Sequence, residues 1–192
     1  MAQRVVAFLR GINVGRANRV AMADLRALVE ALGYLDVRTV LNSGNIIFSV
    51  PGKVHGNEAT RIERAVADRL RVSSRVMVLD ASDMAIALAK NPLRTRADDP
   101  SRLLLGVLAT PDDSARLRPL TRKSWAPEEL AVGARVAYLW CPNGINKSPM
   151  VEAVNRMLGD GMTTRNLATM TKLHVLMSET NSNERDDESL FR

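Results

Sequence analysis

Residues 37–50 read VRTVLNSGNIIFSV, two short apolar runs rich in β-branched residues and separated by the polar tetrad Asn42-Ser43-Gly44-Asn45. β-Branched and aromatic residues favour strands, whereas Gly and Asn tolerate the positive φ angles of a tight turn. The stretch therefore predicts a β-hairpin with strands at 37–41 and 46–50.

The segments on either side of this hairpin each predict a helix and a strand. Before it, residues 4–9 are a nearly continuous apolar run, and apolar residues repeat with helical spacing across 25–32. After it, a second helical pattern covers 62–70 and a strand covers 75–79. The order β-α-β-β-α-β is the split βαβ, or ferredoxin-like, pattern, in which two helices cover one face of an antiparallel sheet.

The order partly repeats in the second half of the chain. A short helix is expected at 83–90, followed by a polar stretch that contains Pro92 and Pro100. Then come a strand at 103–109, a helix at 111–120, a hairpin of 129–132 with 135–141, a helix that starts at Ser148-Pro149, and a last helix from about 165 to 177. No clear fourth strand is evident in this half.

The predicted fold class is therefore α+β, with two tandem ferredoxin-like (split βαβ) subdomains and an extra C-terminal helix. The first subdomain is expected at 1–90, a linker at 91–101, and the second subdomain with its helix at 102–178. Residues 179–192 are polar and charged, and we expect a mobile tail there.

Composition excludes several classes of protein. The chain has 192 residues, of which 46% are hydrophobic and 25% are charged, as in ordinary globular proteins. One cysteine forms no internal disulfide, and with two histidines a Cys/His zinc site is nearly excluded, so neither a metal nor a cofactor is expected. The apolar run at 5–9 is shorter than the roughly 7–15 residues of a secretory signal or the about 20 of a membrane helix. We therefore expect a cytoplasmic protein without a membrane partner.

The charge is unevenly distributed. The formal net charge is +6, and residues 179–192 hold five acidic and two basic residues, which leaves +9 for residues 1–178. A body this basic attracts nucleic acid, acidic partners or phosphorylated metabolites. Surface solubility through arginine is the favoured explanation, because the chain has no block of Lys and Arg typical of a nucleic-acid-binding tail. Aromatic residues make up only 4% of the chain, which argues against a base-stacking surface.

Four polar loop segments are candidates for a site, at residues 10–19, 42–45, 143–148 and 163–166. Most of them precede a predicted helix, where free backbone N–H groups and basic side chains favour anions. Each also has a purely structural interpretation, as a connection, a hairpin turn or a helix cap. Catalytic residues are unknown: His55, His174 and Cys141 are interpreted as solvated or structural, and no nucleophile or general base is identifiable.

Four motifs in one order resemble the domain-of-unknown-function family 1697, a group of uncharacterised bacterial proteins. They are FLRGINVG near the N-terminus, RVAMADLRALVEALGY, VRTVLNSGNIIF and, late in the chain, TTRNLATMTKL. The resemblance implies two tandem ferredoxin-like subdomains and no established activity. The family usually has tryptophan after the Arg-Asn pair, where this chain has Leu167, and two glycines after Asn-Val, where Arg16 follows Gly15.

The leading hypothesis is a small anionic (phosphorylated) ligand bound in a cleft between the subdomains. The candidate ligand-binding residues are Arg10, Gly11, Asn13, Gly15, Ser43, Gly44, Asn45, Lys147, Thr164, Arg165, Asn166 and Lys172. The alternatives are a nucleic-acid-binding protein and an interaction module that works through a sheet edge. Whether the protein is an enzyme, and its oligomeric state, are left open. We expect Arg10 and Arg165 to lie close together; if Arg165 instead pairs with an acid, it is a structural clamp.

Overall fold

The computed structural model describes residues 2–15, 18–96 and 99–179. The tail predicted to be mobile lies, beyond Glu179, outside the described residues. The strands are β1 Gln3–Leu9, β2 Leu35–Val40, β3 Asn45–Val50, β4 Val76–Asp80, β5 Leu103–Leu108, β6 Glu129–Val132, β7 Val136–Trp140 and β8 Met162–Asn166. The α-helices are α1 Met22–Ala31, α2 Glu58–Leu70, α3 Ala81–Ala89, α4 Pro111–Leu117, α5 Pro149–Leu158 and α6 Leu167–Ser178.

The strands form two four-stranded antiparallel sheets, which confirms the α+β class. The first sheet has the order β2-β3-β1-β4, and the second has the order β6-β7-β5-β8. Both sheets therefore share one connectivity, and a helix follows the last strand of each: α3 after β4 and α6 after β8. The register places Val5 opposite Phe48 in the first sheet and Leu105 opposite Tyr138 in the second.

The hairpin from which the sequence was interpreted is present, with Val40 paired to Asn45 across the turn. Gly44 has a φ of +75°, and a Cβ atom there would lie 2.7 Å from Cδ1 of Ile12. Glycine is thus required twice, by the backbone conformation and by the close approach of the loop that follows β1.

The second half corrects one expectation, because it does have a fourth strand. Residues 162–166 form β8, which pairs with β5, and α6 begins only at Leu167 instead of at about 165. Asn166 is the N-cap of α6, and its side chain accepts a hydrogen bond from the Thr169 amide. Thr163 and Thr164 form a β-branched strand segment, and β5 supplies the neighbour that makes it a strand.

Three apolar cores organise the molecule. The outer face of the first sheet packs against α1 and α2 through residues such as Leu25 and Ile62, and the outer face of the second sheet packs against α4 and α5. Between them, the inner faces of both sheets, together with α3 and α6, form one common core that includes Phe8, Leu105 and Leu173. Alternate residues of β1 and β5 face the outer and the common cores, as the two-residue period of a strand requires.

None of the helices in the described ranges is long and apolar enough to cross a bilayer.

Candidate functional site

Three of the predicted segments meet where β8 crosses the end of the first sheet. Arg165 on β8 donates from Nη2 to the carbonyls of Leu9 (3.0 Å) and Ser43 (2.7 Å) and from Nε to Oδ1 of Asn45 (2.5 Å). Its Nη1 donates to Oγ1 of Thr163 (3.0 Å) and to the carbonyl of Thr164 (2.8 Å). We call this cluster the arginine seam.

The arginine seam uses every hydrogen-bond donor of Arg165. A guanidinium carries five N–H donors, and the five acceptors around it are neutral oxygens, without a carboxylate. The guanidinium also lies over the ring of Phe8, with Cζ 5.6 Å from its centroid. Burial lowers the pKa of Arg165 to about 10. The side chain therefore has no N–H left for a ligand.

The first loop is tied to the same region by its own hydrogen bonds. Arg10 donates from Nη1 to the carbonyl of Met162 on β8, so it also joins the two halves. Asn13 donates from Nδ2 to the carbonyls of Val20 and Asn42, both at 2.9 Å, and thereby fastens the loop to the hairpin turn. The first loop, the hairpin turn and β8 thus meet in one interlocked contact between the two halves.

The remaining predicted residues lie outside the seam or play structural parts. Gly11 and Gly15 are exposed turn glycines with φ of +69° and +63°. Lys172 is exposed on α6. Gly44 is required by its positive φ and by the close approach of Ile12, and Asn166 caps α6.

Lys147 belongs to a separate cavity in the second half, which we call the β7–α5 pocket. It has a volume of about 430 Å³ and lies between the start of β5 and the connection from β7 to α5. Arg102 and Lys147 supply positive charge, and Asn143 supplies an amide. The Cys141 amide donates to the Arg102 carbonyl (3.0 Å), which holds the two walls together.

Gly144 permits the close approach in this pocket. Its φ is +90°, and a Cβ atom there would lie 3.0 Å from Nη1 of Arg102. Arg102 pairs with Asp99 at 3.4 Å, and both side chains are about half-exposed. Within the described residues Lys147 has no carboxylate partner. The pocket therefore carries an excess of positive charge beside polar amides, an arrangement that accepts an anion.

A family match covers residues 2–138, with the description "protein of unknown function (DUF1697)". The chain belongs to the DUF1697 family. The matched range contains the Arg10 loop and the 42–45 turn, while Lys147 and the arginine seam's Arg165 lie beyond it. No match was found among curated proteins.

The DUF1697 chain is also similar to a solved structure, that of the conserved bacterial protein SP0830 from Streptococcus pneumoniae. The two chains share 22% identity, with a TM-score of 0.74 over 93% of this chain and 100% of the other. At this identity the likeness concerns the fold alone.

Sequence reasoning missed two features of this DUF1697 protein. Arg102 directly follows the stretch assigned to a linker at 91–101, and only the pairing of β5 with β7 brings it to Asn143 and Lys147. Arg135, at the start of β7, donates from Nη2 to the carbonyl of Val78 on β4 (2.8 Å) and so joins the halves at another point. Neither contact has a local signal, because each partner is distant in sequence.

Proposed function

We propose that this protein is a cytoplasmic binding protein for a small phosphorylated anion, built from two ferredoxin-like subdomains joined near residues 91–101. The shared connectivity of the two sheets supports the subdomain assignment. The observation that carries the binding proposal is the excess positive charge of Arg102 and Lys147 around the β7–α5 pocket.

The binding proposal places the ligand within the second half instead of in the cleft between the halves. At the arginine seam all five donors of Arg165 are already used by protein oxygens. In the β7–α5 pocket, Lys147 ends a short 3-10 turn directly before Ser148, which caps α5 through its bond to the Val151 amide. The N-terminal end of α5 adds a partial positive charge beside the lysine, which favours an anion there.

The two alternatives from the sequence have fewer surfaces available. RNA-binding sheets of this connectivity present an open sheet face with aromatic residues, whereas both inner faces here are buried in the common core. Edge strands β4 and β8 have carbonyls that arginine side chains already occupy, at Val78, Met162 and Thr164. Such capping blocks the addition of a further strand at these positions.

The test is a calorimetric titration of the full chain with inorganic phosphate and with pyrophosphate. We expect saturable binding that Lys147→Gln and Arg102→Gln each weaken about tenfold, the loss of one charge-assisted hydrogen bond. Lys172→Gln removes an exposed lysine that does not line the β7–α5 pocket and serves as the matched control.

Equal losses in Lys147→Gln and Lys172→Gln would show that the anion responds to net charge alone, and the proposed pocket would be wrong. The absence of saturable binding in the unsubstituted chain would refute the binding proposal itself.

A further inference from the structure

A second cavity lies where α3 of the first half faces the β6–β7 hairpin of the second half. Asp83, Ile86 and Lys90 recur on α3 with spacings of three and four residues, so they share one side of the helix. Opposite them stand Val132 and Arg135, at the ends of the hairpin strands. The cavity has a volume of about 320 Å³, and we call it the α3 groove.

The walls of the α3 groove are mainly apolar. Ile86, at 49% exposure, is one of the most exposed large aliphatic side chains in the described structure. The hydroxyl of Tyr138 is already used, because it donates to the Ala87 carbonyl at 2.9 Å. The ring therefore offers the groove carbon surface, together with Val132 and Val136.

The charges of the groove are unbalanced. Arg135 lies with Nε 3.6 Å from the carboxylate of Asp83, which is too far for a hydrogen bond. Its Nε is buried and has no hydrogen-bond partner among the described residues. Lys90, at the other end of the groove, has no carboxylate partner within 4.0 Å in residues 2–15, 18–96 and 99–179. Two cations thus face one acid, beside apolar walls.

This combination defines the chemistry of an occupant. An apolar cavity of a few hundred Å³ with a few convergent polar groups is typical of small-molecule sites. A carboxylate matches the ammonium of Lys90, which has no carboxylate partner, and a compact apolar body would cover Ile86 and Val132. Burial raises the pKa of Asp83, in opposition to the effect of Arg135, as expected for a carboxylate that its partner does not fully compensate.

We propose that the α3 groove binds a small monocarboxylic acid with a compact apolar body, its carboxylate held by Lys90 at one end of the groove and its apolar body against Ile86 and Val132. A phosphate dianion fits less well, because the apolar walls give its second charge no donor and Asp83 repels it. The site is independent of the β7–α5 pocket, with which it shares no lining residue.

The experiment is a titration of the full chain, labelled with ¹⁵N, with phenylacetate and with its neutral amide, phenylacetamide. We expect phenylacetate to shift the amide signals of Gly133 and Ala134 at the hairpin tip saturably, and phenylacetamide to bind at least about tenfold more weakly. Lys90→Gln removes one cation, and Ile86→Glu replaces the apolar wall with a repelling charge. Both side chains are exposed enough for the fold to tolerate the change.

The expected pattern is an affinity for phenylacetate about tenfold lower in Lys90→Gln, a larger loss in Ile86→Glu, and no change in the control Lys172→Gln. Equal affinities for the acid and the amide would overturn the proposal, and so would equal losses in Lys90→Gln and Lys172→Gln. A concentration-dependent increase in mass that Ile86→Glu abolishes would assign the groove to a second copy of the chain and would overturn it too.

Discussion

At the scale of the residue, Arg165 shows how a buried charge is kept without a counter-ion. Its guanidinium is surrounded by carbonyl, amide and hydroxyl oxygens from both halves. Each of these oxygens would need another donor if the arginine were absent, and a buried acceptor without a donor costs about 1–3 kcal/mol. The sequence left two interpretations of Arg165 open, a ligand contact or a structural clamp paired with an acid. In the structure Arg165 joins the two halves through hydrogen bonds to neutral oxygens.

We expect Arg165→Ala to lower the free energy of unfolding by about 3 kcal/mol or more, because the carbonyl of Leu9 and Oδ1 of the buried Asn45 lose their donor. Arg165→Lys should lie between the wild type and Arg165→Ala, since an ammonium has three donors and no planar fork. Urea denaturation followed by circular dichroism measures both.

The control for Arg165 is Arg26→Ala, which removes an exposed arginine paired with Glu30 at 2.7 Å on one helix. Such a pair contributes below about 0.5 kcal/mol. A loss for Arg165→Ala as small as that for Arg26→Ala would show that the seam does not hold the halves together.

Cys141 supplies a second prediction at this scale. Its side chain is 1% exposed, and burial raises the pKa of the thiol to about 11 from its ordinary value of 9.0. The thiol of the unfolded chain therefore loses its proton at a lower pH than the buried thiol of the folded chain. The thiol's contribution to the free energy of unfolding is complete below pH 9 and is lost as the pH rises from 9 to 11. We expect iodoacetamide to modify native Cys141 at pH 8 only through unfolding. Modification as fast as in denaturant would contradict this.

At the scale of the element, two glycines that flank β3 form a matched pair, Gly44 in the hairpin turn and Gly52 just after the strand. Gly44 and Gly52 have the same φ of +75°, but a Cβ atom at Gly44 would lie 2.7 Å from Ile12 and 2.9 Å from Leu9, whereas one at Gly52 would meet nothing within 4 Å. We expect Gly52→Ala to cost about 1–2 kcal/mol from backbone strain alone. Gly44→Ala should cost about 1–3 kcal/mol more from overpacking.

Thermal and urea unfolding of the two variants measure that difference. Replacing Ile12 by Val in the Gly44→Ala background should recover part of it, because Cδ1 of Ile12 is the nearest atom. Equal stability of Gly44→Ala and Gly52→Ala would mean that the loop after β1 moves away at no cost.

The elements that could be predicted from the sequence are those with a local pattern. The hairpin at 42–45 and the apolar run at 5–9 each carry their own signal of strand and turn, and both are present. Strand β8 has only a weak strand pattern, because the polar residues Arg165 and Asn166 follow its β-branched pair. Its neighbour β5 also lies more than fifty residues earlier in the chain. Arg102 reaches Asn143 and Lys147 only through the pairing of β5 with β7, and Arg135 reaches Val78 and Asp83 only through the packing of the two halves. No local pattern could therefore identify either cavity.

At the scale of the whole molecule, the common core decides how the two halves behave. Each sheet has its own helices on one face, yet its other face is covered only by α3, α6 and the other half. An isolated half would expose that inner apolar face to water, which costs about 25 cal/mol for each Å². Arginine contacts from Arg10, Arg135 and Arg165 add polar links around the core. Two halves that share a core in this way should not unfold separately.

The two tryptophans make this testable, because both lie in the second half, Trp125 against its outer core and Trp140 against the common core. Circular dichroism reports on the helices and strands of both halves. We expect the two signals to give one coincident urea transition, and Leu173→Ala, which opens a cavity in the common core, to shift both by the same amount, about 2–5 kcal/mol. If the halves unfolded independently, the tryptophan signal would change at a different urea concentration, and Leu173→Ala would separate the two transitions further, because α6 follows β8 and would stay with the second sheet.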